Sequence, residues 1–227
     1  MGRLVLWDVD GTLLKTPGLG VAALNRALER VVGRAPTEMI PFAGMLDPNL
    51  VLACLEVLDA DPEVHLDAVL AASIEEFERA RSDVAERAWV LPGVGEALAA
   101  LAKRENVMQT LLTGNLRPNA VLKVNVLGLD PWLDLEVGAY GEDGRERHEL
   151  VQVALERASR LRGRTYGLDE VWVIGDSEHD LSCARRSGAR CLLVGTGWGL
   201  PDGTADQADA YMDDLSDTRA VLEVVLR

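Results

Sequence analysis

The chain is short of positive charge, of cysteine and of any long apolar run, and each shortage removes a class of function. Lys and Arg total 23 against 37 Asp and Glu over 227 residues, for a net charge of −14. General binding to nucleic acid or to an anionic membrane surface needs a positive footprint, so no nucleic-acid and no membrane partner is expected. The same charge repels an anionic substrate, and a phosphate would need a local positive centre such as a metal ion or a few aimed arginines. The three cysteines, Cys54, Cys183 and Cys191, are odd in number and lack zinc-type spacing. Two of them lie in apolar contexts and read as small core residues. No stretch approaches the ~20 apolar residues of a membrane span. The first residues run straight into a strand followed by acids, without the basic segment and apolar run of a secretion signal. A reduced, soluble, cytoplasmic protein is the expectation, working as a monomer or homodimer.

Hydrophobic residues make up 48% of the chain and charged residues 26%, enough for a sizeable core and ordinary for a folded protein. Residues 17–87 read as helix throughout. Val21, Leu24, Ala27, Leu28, Val31 and Val32 recur at helical spacing before Gly33, and Asp47-Pro48 and Asp61-Pro62 each look like an N-cap followed by proline. After Pro92-Gly93 helices and strands alternate, with strands expected at 107–112, 135–140, 171–174, 191–194 and 210–212. Alternation of this kind implies an α/β fold with a parallel, Rossmann-like sheet covered on both faces. The organisation expected is therefore a core of residues 1–16 and 88–227 with an inserted helical cap domain of residues 17–87.

Three polar segments each follow an apolar run that reads as a buried strand: Asp8-Val9-Asp10-Gly11-Thr12, Thr113-Gly114-Asn115, and Gly175-Asp176-Ser177-Glu178-His179-Asp180. Ligand and catalytic residues gather where parallel strands end, so the three can converge. Period-2 alternation puts Asp8 and Asp10 on one side if the extended backbone persists. One carboxylate can then act as nucleophile and the other handle the leaving-group proton. Thr113 offers a hydroxyl, and its Gly-containing turn offers backbone N–H groups, for phosphate oxygens. Asp176 and Asp180 are hard oxygen donors of the type Mg²⁺ takes; helix capping is the alternative for Ser177 and Asp180. A cation is also needed around a transferring phosphoryl group. Arg147, next to a helix start, is the choice, with Arg145 as the alternative.

The order and spacing of these segments resemble the haloacid dehalogenase superfamily of phosphatases over nearly the whole chain, and the stretch from Gly195-Thr196-Gly197 to Asp213-Asp214-Leu215 resembles the tail of its phosphoglycolate-phosphatase-like members. The resemblance implies Asp8 as the nucleophile that becomes aspartyl-phosphate and Asp10 as the acid/base, its carbonyl also offered to Mg²⁺. It implies a phosphate site at Thr113, Gly114 and Asn115, and a metal set of Asp8, Asp10, Asp176 and Asp180. It further implies a helical cap closing over a small-molecule phosphate ester. The loop Ala43–Asp47 joins two cap helices, contains a glycine and ends in Asp47-Pro48, so it is the expected substrate contact, with helix capping the alternative for Asp47. The family usually carries a lysine at its third motif. Lys15, Lys103 and Lys123 are the chain's only lysines, and none is expected to serve between Thr113 and Asp176, which leaves Arg147 to carry that charge with a different fork of donors. A dehalogenase would have no use for Asp10, and a Schiff-base phosphonate hydrolase would need a cap lysine. A receiver-type signalling domain is too short and has no helical lobe. A sugar-phosphate mutase and a non-catalytic phosphate- or metal-binding homologue stand as the alternatives to a phosphatase.

Overall fold

The computed structural model of the chain describes residues 2–38, 40 and 44–227. In chain order the elements are β1 (Arg3–Trp7), β2 (Leu14–Lys15), α1 (Leu19–Val32), α2 (Asp47–Val57), α3 (Pro62–Arg79), α4 (Arg81–Arg87), β3 (Trp89–Val90), α5 (Val94–Ala102) and β4 (Val107–Leu111). Then follow α6 (Arg117–Val126), α7 (Glu149–Arg162), β5 (Val171–Gly175), α8 (Glu178–Ser187), β6 (Arg190–Val194), β7 (Ala210–Met212) and α9 (Thr218–Val225).

Five of the strands form one parallel sheet in the order β4-β1-β5-β6-β7. β1, β4 and β5 are buried along their whole length, so neither face alternates with a solvent-facing polar set; Arg3 of β1 and Gln109 and Thr110 of β4 are the buried polar exceptions. Alternate residues feed two cores. Val5, Trp7, Trp172 and Ile174 pack with α5 and α9 on one face. Leu4, Leu6, Val171 and Val173 pack with α7 and α8 on the other. Each fully buried aliphatic side chain here is worth about 1.5–3 kcal/mol.

The register decides where the chemistry falls. Trp7, the last residue of β1, pairs with Leu111 on one side and with Ile174 on the other. The residues that follow these three positions emerge side by side at the carboxyl edge. Numbered in chain order the sheet reads 2-1-3-4-5, and the connections reverse direction beside β1. A crevice outside the strand ends at such a switch point is where open α/β sheets hold ligands.

Helices α1 to α3 build a core of their own from Leu24, Leu28, Val51, Leu55, Val69 and Ala72. The chain leaves the sheet and returns to it across the antiparallel pair β2–β3, Leu14 opposite Val90 and Lys15 opposite Trp89. A further cluster, Leu19, Ala23, Phe77 and Val84 with Leu122 of α6, joins the helical segment to the sheet-bearing part.

Two local expectations are corrected. Residues 135–140 form no strand: one bridge joins Leu112 to Ala139, while Val137 N–H bonds back to the Asp134 carbonyl in a turn. The turn takes the Val137 N–H, so the segment meets the β4 end only through Ala139, whose N–H donates to the Leu111 carbonyl and whose carbonyl accepts from Thr113 N–H. Asp47 is the first residue of α2 rather than its cap; the cap position is Leu46, and the Asp47 carboxylate bonds elsewhere. Asp61 does cap α3, accepting from Glu63 N–H at 2.9 Å.

Candidate active site

Asp8 leaves β1 with its N–H bonded to the Ile174 carbonyl at 2.9 Å, so its position is fixed by the sheet itself. Gly11, three residues on, has φ +97°, and a Cβ there would lie 2.5 Å from Asp176 Oδ2. Only glycine lets the turn after β1 come that close to the acid after β5. Thr12 then donates to Asp176 Oδ1 at 2.8 Å, joining the first polar segment to the third. Asp180 accepts from the N–H and the hydroxyl of Ser177 through Oδ2 while Ser177 accepts from Asp180 N–H, a reciprocal cap at the start of α8. Its other oxygen accepts from Arg147 Nη2 at 2.7 Å. Asp180 therefore both caps its helix and faces the site.

Asp8, Asp176 and Asp180 are 7%, 5% and 1% exposed, and one carboxylate oxygen from each lies within 4.8 Å of the others. Arg147 Nη2 also donates to Asp8 Oδ1 at 2.5 Å, placing one guanidinium between Asp8 and Asp180. Burial and the opposing acids together push the Asp8 carboxyl well above its usual range, Arg147 only partly offsetting them. Burial and Asp180 raise Asp176 to about 6 against the Thr12 bond and Arg147. Burial works against the Arg147 charge, yet Asp180 and Asp8 outweigh it and hold the guanidinium more firmly protonated. Three carboxylates against one guanidinium leave two negative charges uncompensated in a buried place. A divalent cation with a preference for hard oxygen donors cancels that imbalance, so these residues fit Mg²⁺. Among the described residues Arg147 Nε is buried without a hydrogen-bond partner.

Asp10 is held apart from this cluster. Its Oδ1 accepts from Thr16 at 3.0 Å and its Oδ2 from Asn115 Nδ2 at 2.8 Å and Lys123 Nζ at 2.5 Å. Burial would raise its pKa, but the Lys123 charge and these bonds win and hold it below the usual value. Thr113 is fully buried and its Oγ1 accepts from Asn115 Nδ2 at 2.8 Å and from Asn115 N–H at 3.3 Å. A hydroxyl that accepts twice keeps its own proton to give. The Asn115 side chain is spent on Asp10, Thr113 and Lys123.

The expectation that no lysine serves the site between Thr113 and Asp176 is overturned: Lys123 lies in that interval and reaches Asp10. Its signal in the sequence was a lone charge between Leu122 and Val124 on an otherwise apolar stretch of helix. Arg145, the alternative cation, is exposed on the surface; its backbone N–H donates to Glu149 Oε2 at 2.7 Å and its carbonyl accepts from Asn49 Nδ2 at 2.9 Å.

The loop at the start of α2 sits directly on the strand ends. Asp47 N–H donates to the Gly114 carbonyl at 2.7 Å and Asp47 Oδ2 accepts from Leu116 N–H at 2.8 Å. A Cβ on Gly114 would lie 2.2 Å from the Met45 carbonyl oxygen, so the glycine is what lets the two backbones meet. Leu46 is 2% exposed and packs with Leu4, Leu6, Leu112 and Ala139 of the sheet core. Asp47 and Leu46 thus anchor the loop rather than present free side chains; Ala43, also expected in this loop, lies outside the described residues. Burial raises the Asp47 carboxyl to about 6, opposed by the Leu116 bond and Lys123.

A switch-point acid cluster under a helical lobe is the layout of an acid-rich α/β hydrolase. The family model described as haloacid dehalogenase-like hydrolase matches residues 5–185. A phosphoglycolate phosphatase (plasmid) of Cupriavidus necator is 32% identical over 222 residues, spanning 96% of this chain and 92% of its own. Among solved structures, CbbY from Rhodobacter sphaeroides in complex with phosphate superposes with TM-score 0.72 at 19% identity, over 98% of this chain and 100% of that one. A β-phosphoglucomutase from Clostridium difficile does so with TM-score 0.73 at 14% identity, over the full length of both. The chain belongs to the haloacid dehalogenase-like hydrolase family and is a phosphoric monoester hydrolase of its phosphoglycolate-phosphatase-like group. Among the described residues no helix is long and apolar enough to cross a membrane.

Proposed function

We propose that the enzyme is a Mg²⁺-dependent phosphatase that hydrolyses a small phosphomonoester through an aspartyl-phosphate on Asp8. The observation that carries this reading is the buried trio Asp8, Asp176 and Asp180 with Arg147 between two of its members. Asp8 attacks phosphorus, and the ester oxygen departs with a proton from Asp10, which must be protonated for this step against the Lys123 charge that favours its ionised form; Asp10 then takes a proton from the water that attacks the phosphorus of the aspartyl-phosphate. Thr113 donates to a phosphate oxygen, and Arg147 offsets negative charge between Asp8 and the incoming group. When bound, Mg²⁺ supplies charge neutralisation for the carboxylates and the phosphate; Asp8, Asp176 and Asp180 would hold it through carboxylate oxygens and Asp10 through its carbonyl.

The relative from Cupriavidus necator, a phosphoglycolate phosphatase spanning nearly the whole chain, supports a phosphoglycolate-like or sugar-phosphate substrate. The cap loop docked on Gly114 and Leu116 supports a small ester rather than a phosphoprotein or nucleic acid. Three free, buried thiols suit a reducing, cytoplasmic setting. The test is a panel of phosphorylated metabolites assayed for phosphate release with Mg²⁺ and with excess chelator. Release from small esters that stops on chelation supports the reading. Turnover unaffected by chelator contradicts it, and a rearranged ester without free phosphate would mark a mutase.

A further inference from the structure

Lys123 is 4% exposed, and an ammonium is seldom buried unless it is paired. Its Nζ donates to Asp10 Oδ2 at 2.5 Å and to Asn115 Oδ1 at 2.7 Å. It also lies 5.5 Å from the centre of the Phe77 ring of α3, within reach of a cation–π contact. Phe77 is 1% exposed and belongs to the cluster that joins α1, α3 and α4 to Leu122 of α6. One ammonium therefore touches the acid/base carboxylate on one side and the helical cap on the other.

The donors around Asp10 are not equivalent. Oδ2 faces an ammonium and an amide N–H, both donors only, so neither can accept a proton from that oxygen. Oδ1 faces the Thr16 hydroxyl at 3.0 Å, which can donate or accept. The transferable proton of Asp10 is thereby confined to Oδ1, and the carboxylate is pinned by its other oxygen.

We infer that Lys123 is the positioning residue of Asp10, fixing which carboxylate oxygen exchanges protons with the ester oxygen and water, and tying that orientation to the seating of α3 through Phe77. The inference rests on the phosphatase reading and adds to it a role for a residue outside the acid trio. The proton count is unchanged: Asp10 gives one proton from Oδ1 to the departing oxygen and recovers one from the attacking water, and Lys123 keeps its own throughout.

The test is a double-mutant cycle on the whole protein with Mg²⁺, using p-nitrophenyl phosphate and an alkyl phosphate. Lys123→Met should lower kcat about 10–100-fold, the usual loss on removing a residue that orients a reacting group, with KM changed less than about 3-fold. In an Asp10→Asn background the same change should lower kcat less than about 3-fold, because the group it positions is already gone. Lys123→Arg, which keeps the charge, should retain more kcat than Lys123→Met. The double variant removes both partners and so leaves no lone buried charge; melting midpoints check each variant. If Lys123→Met does not fold, Lys123→Arg with and without Asp10→Asn gives the same comparison. Additive losses, or a change in KM alone, would overturn the assignment while the phosphatase reading stood. A wild type inactive on every ester would overturn both.

Discussion

Mg²⁺ should stabilise the metal-free protein by relieving the charge crowded on its buried acids. Asp176 is 5% exposed, and burial with Asp180 beside it lifts its carboxyl from 3.8 to about 6. Two pKa units correspond to about 3 kcal/mol against the ionised form. The sign follows from linkage: the folded protein takes up this proton before the unfolded chain does, so the penalty is full above about pH 6 and fades as pH falls toward the unfolded value. Metal-free protein should therefore be more stable at about pH 5 than at about pH 7.5 with respect to this group, and the raised Asp8 acts in the same direction. A cation at the trio removes that penalty and stabilises the fold by RT ln(1 + c/Kd), where c is the free Mg²⁺ concentration, so the melting midpoint at about pH 7.5 should rise with Mg²⁺ concentration. Thermal scans after chelation, then with excess Mg²⁺, at both pH values measure it. The shift should shrink at the lower pH, where protons compete for the same oxygens. Asp176→Asn should melt higher than metal-free wild type at about pH 7.5 and lose most of the Mg²⁺ response. No Mg²⁺ shift in the wild type, or a larger one in acid, would refute the reasoning.

Asp8→Asn should abolish turnover while keeping the fold, because the amide is isosteric and cannot attack phosphorus; near-normal rates would remove Asp8 as nucleophile. Arg147→Ala should lower kcat by about 10²–10³, the scale of losing one aimed donor, whereas Arg145→Ala should stay within a few-fold, and equal small effects would place the site cation elsewhere. Gly114→Ala should raise KM and lower kcat together, since its methyl would meet the Met45 carbonyl at 2.2 Å and keep the loop from seating. Unchanged kinetics would show that seating is dispensable. Leu46→Ala should destabilise the protein by about 2–5 kcal/mol through the cavity it leaves in the sheet core, read from chemical unfolding; a loss under about 1 kcal/mol would mean the loop spends little time docked.

Much of this site was legible because its signals are local. Apolar runs ending in Asp8, Thr113 and Asp176 announce parallel strands whose ends carry polar groups, and the helical stripe from Val21 to Val32 needs only its own periodicity. The remainder depended on who meets whom. Leu135 to Tyr140 looks like a strand by composition, yet the Asp134–Val137 turn takes the Val137 N–H and leaves only Ala139 paired with the β4 end. Asp47-Pro48 has the form of a helix start, but the carboxylate finds a better donor in Leu116 N–H, 69 residues away. The Asn115 side chain pairs with Asp10, Thr113 and Lys123, partners that no local pattern in the sequence announces. Lys123 shows no motif at all; its role arises from the packing of α6 against both the β1 turn and Phe77, and pairings across 113 positions leave no periodic trace.

If phosphate passes through Asp8, an acyl phosphate forms there during turnover and can be trapped chemically. Borohydride added during steady turnover of a good ester reduces an aspartyl-phosphate to homoserine, and peptide mapping then locates the residue. Homoserine is expected at position 8, dependent on Mg²⁺ and absent in Asp8→Asn. Homoserine at another carboxylate, or none in a protein actively releasing phosphate under trapping conditions, would contradict it.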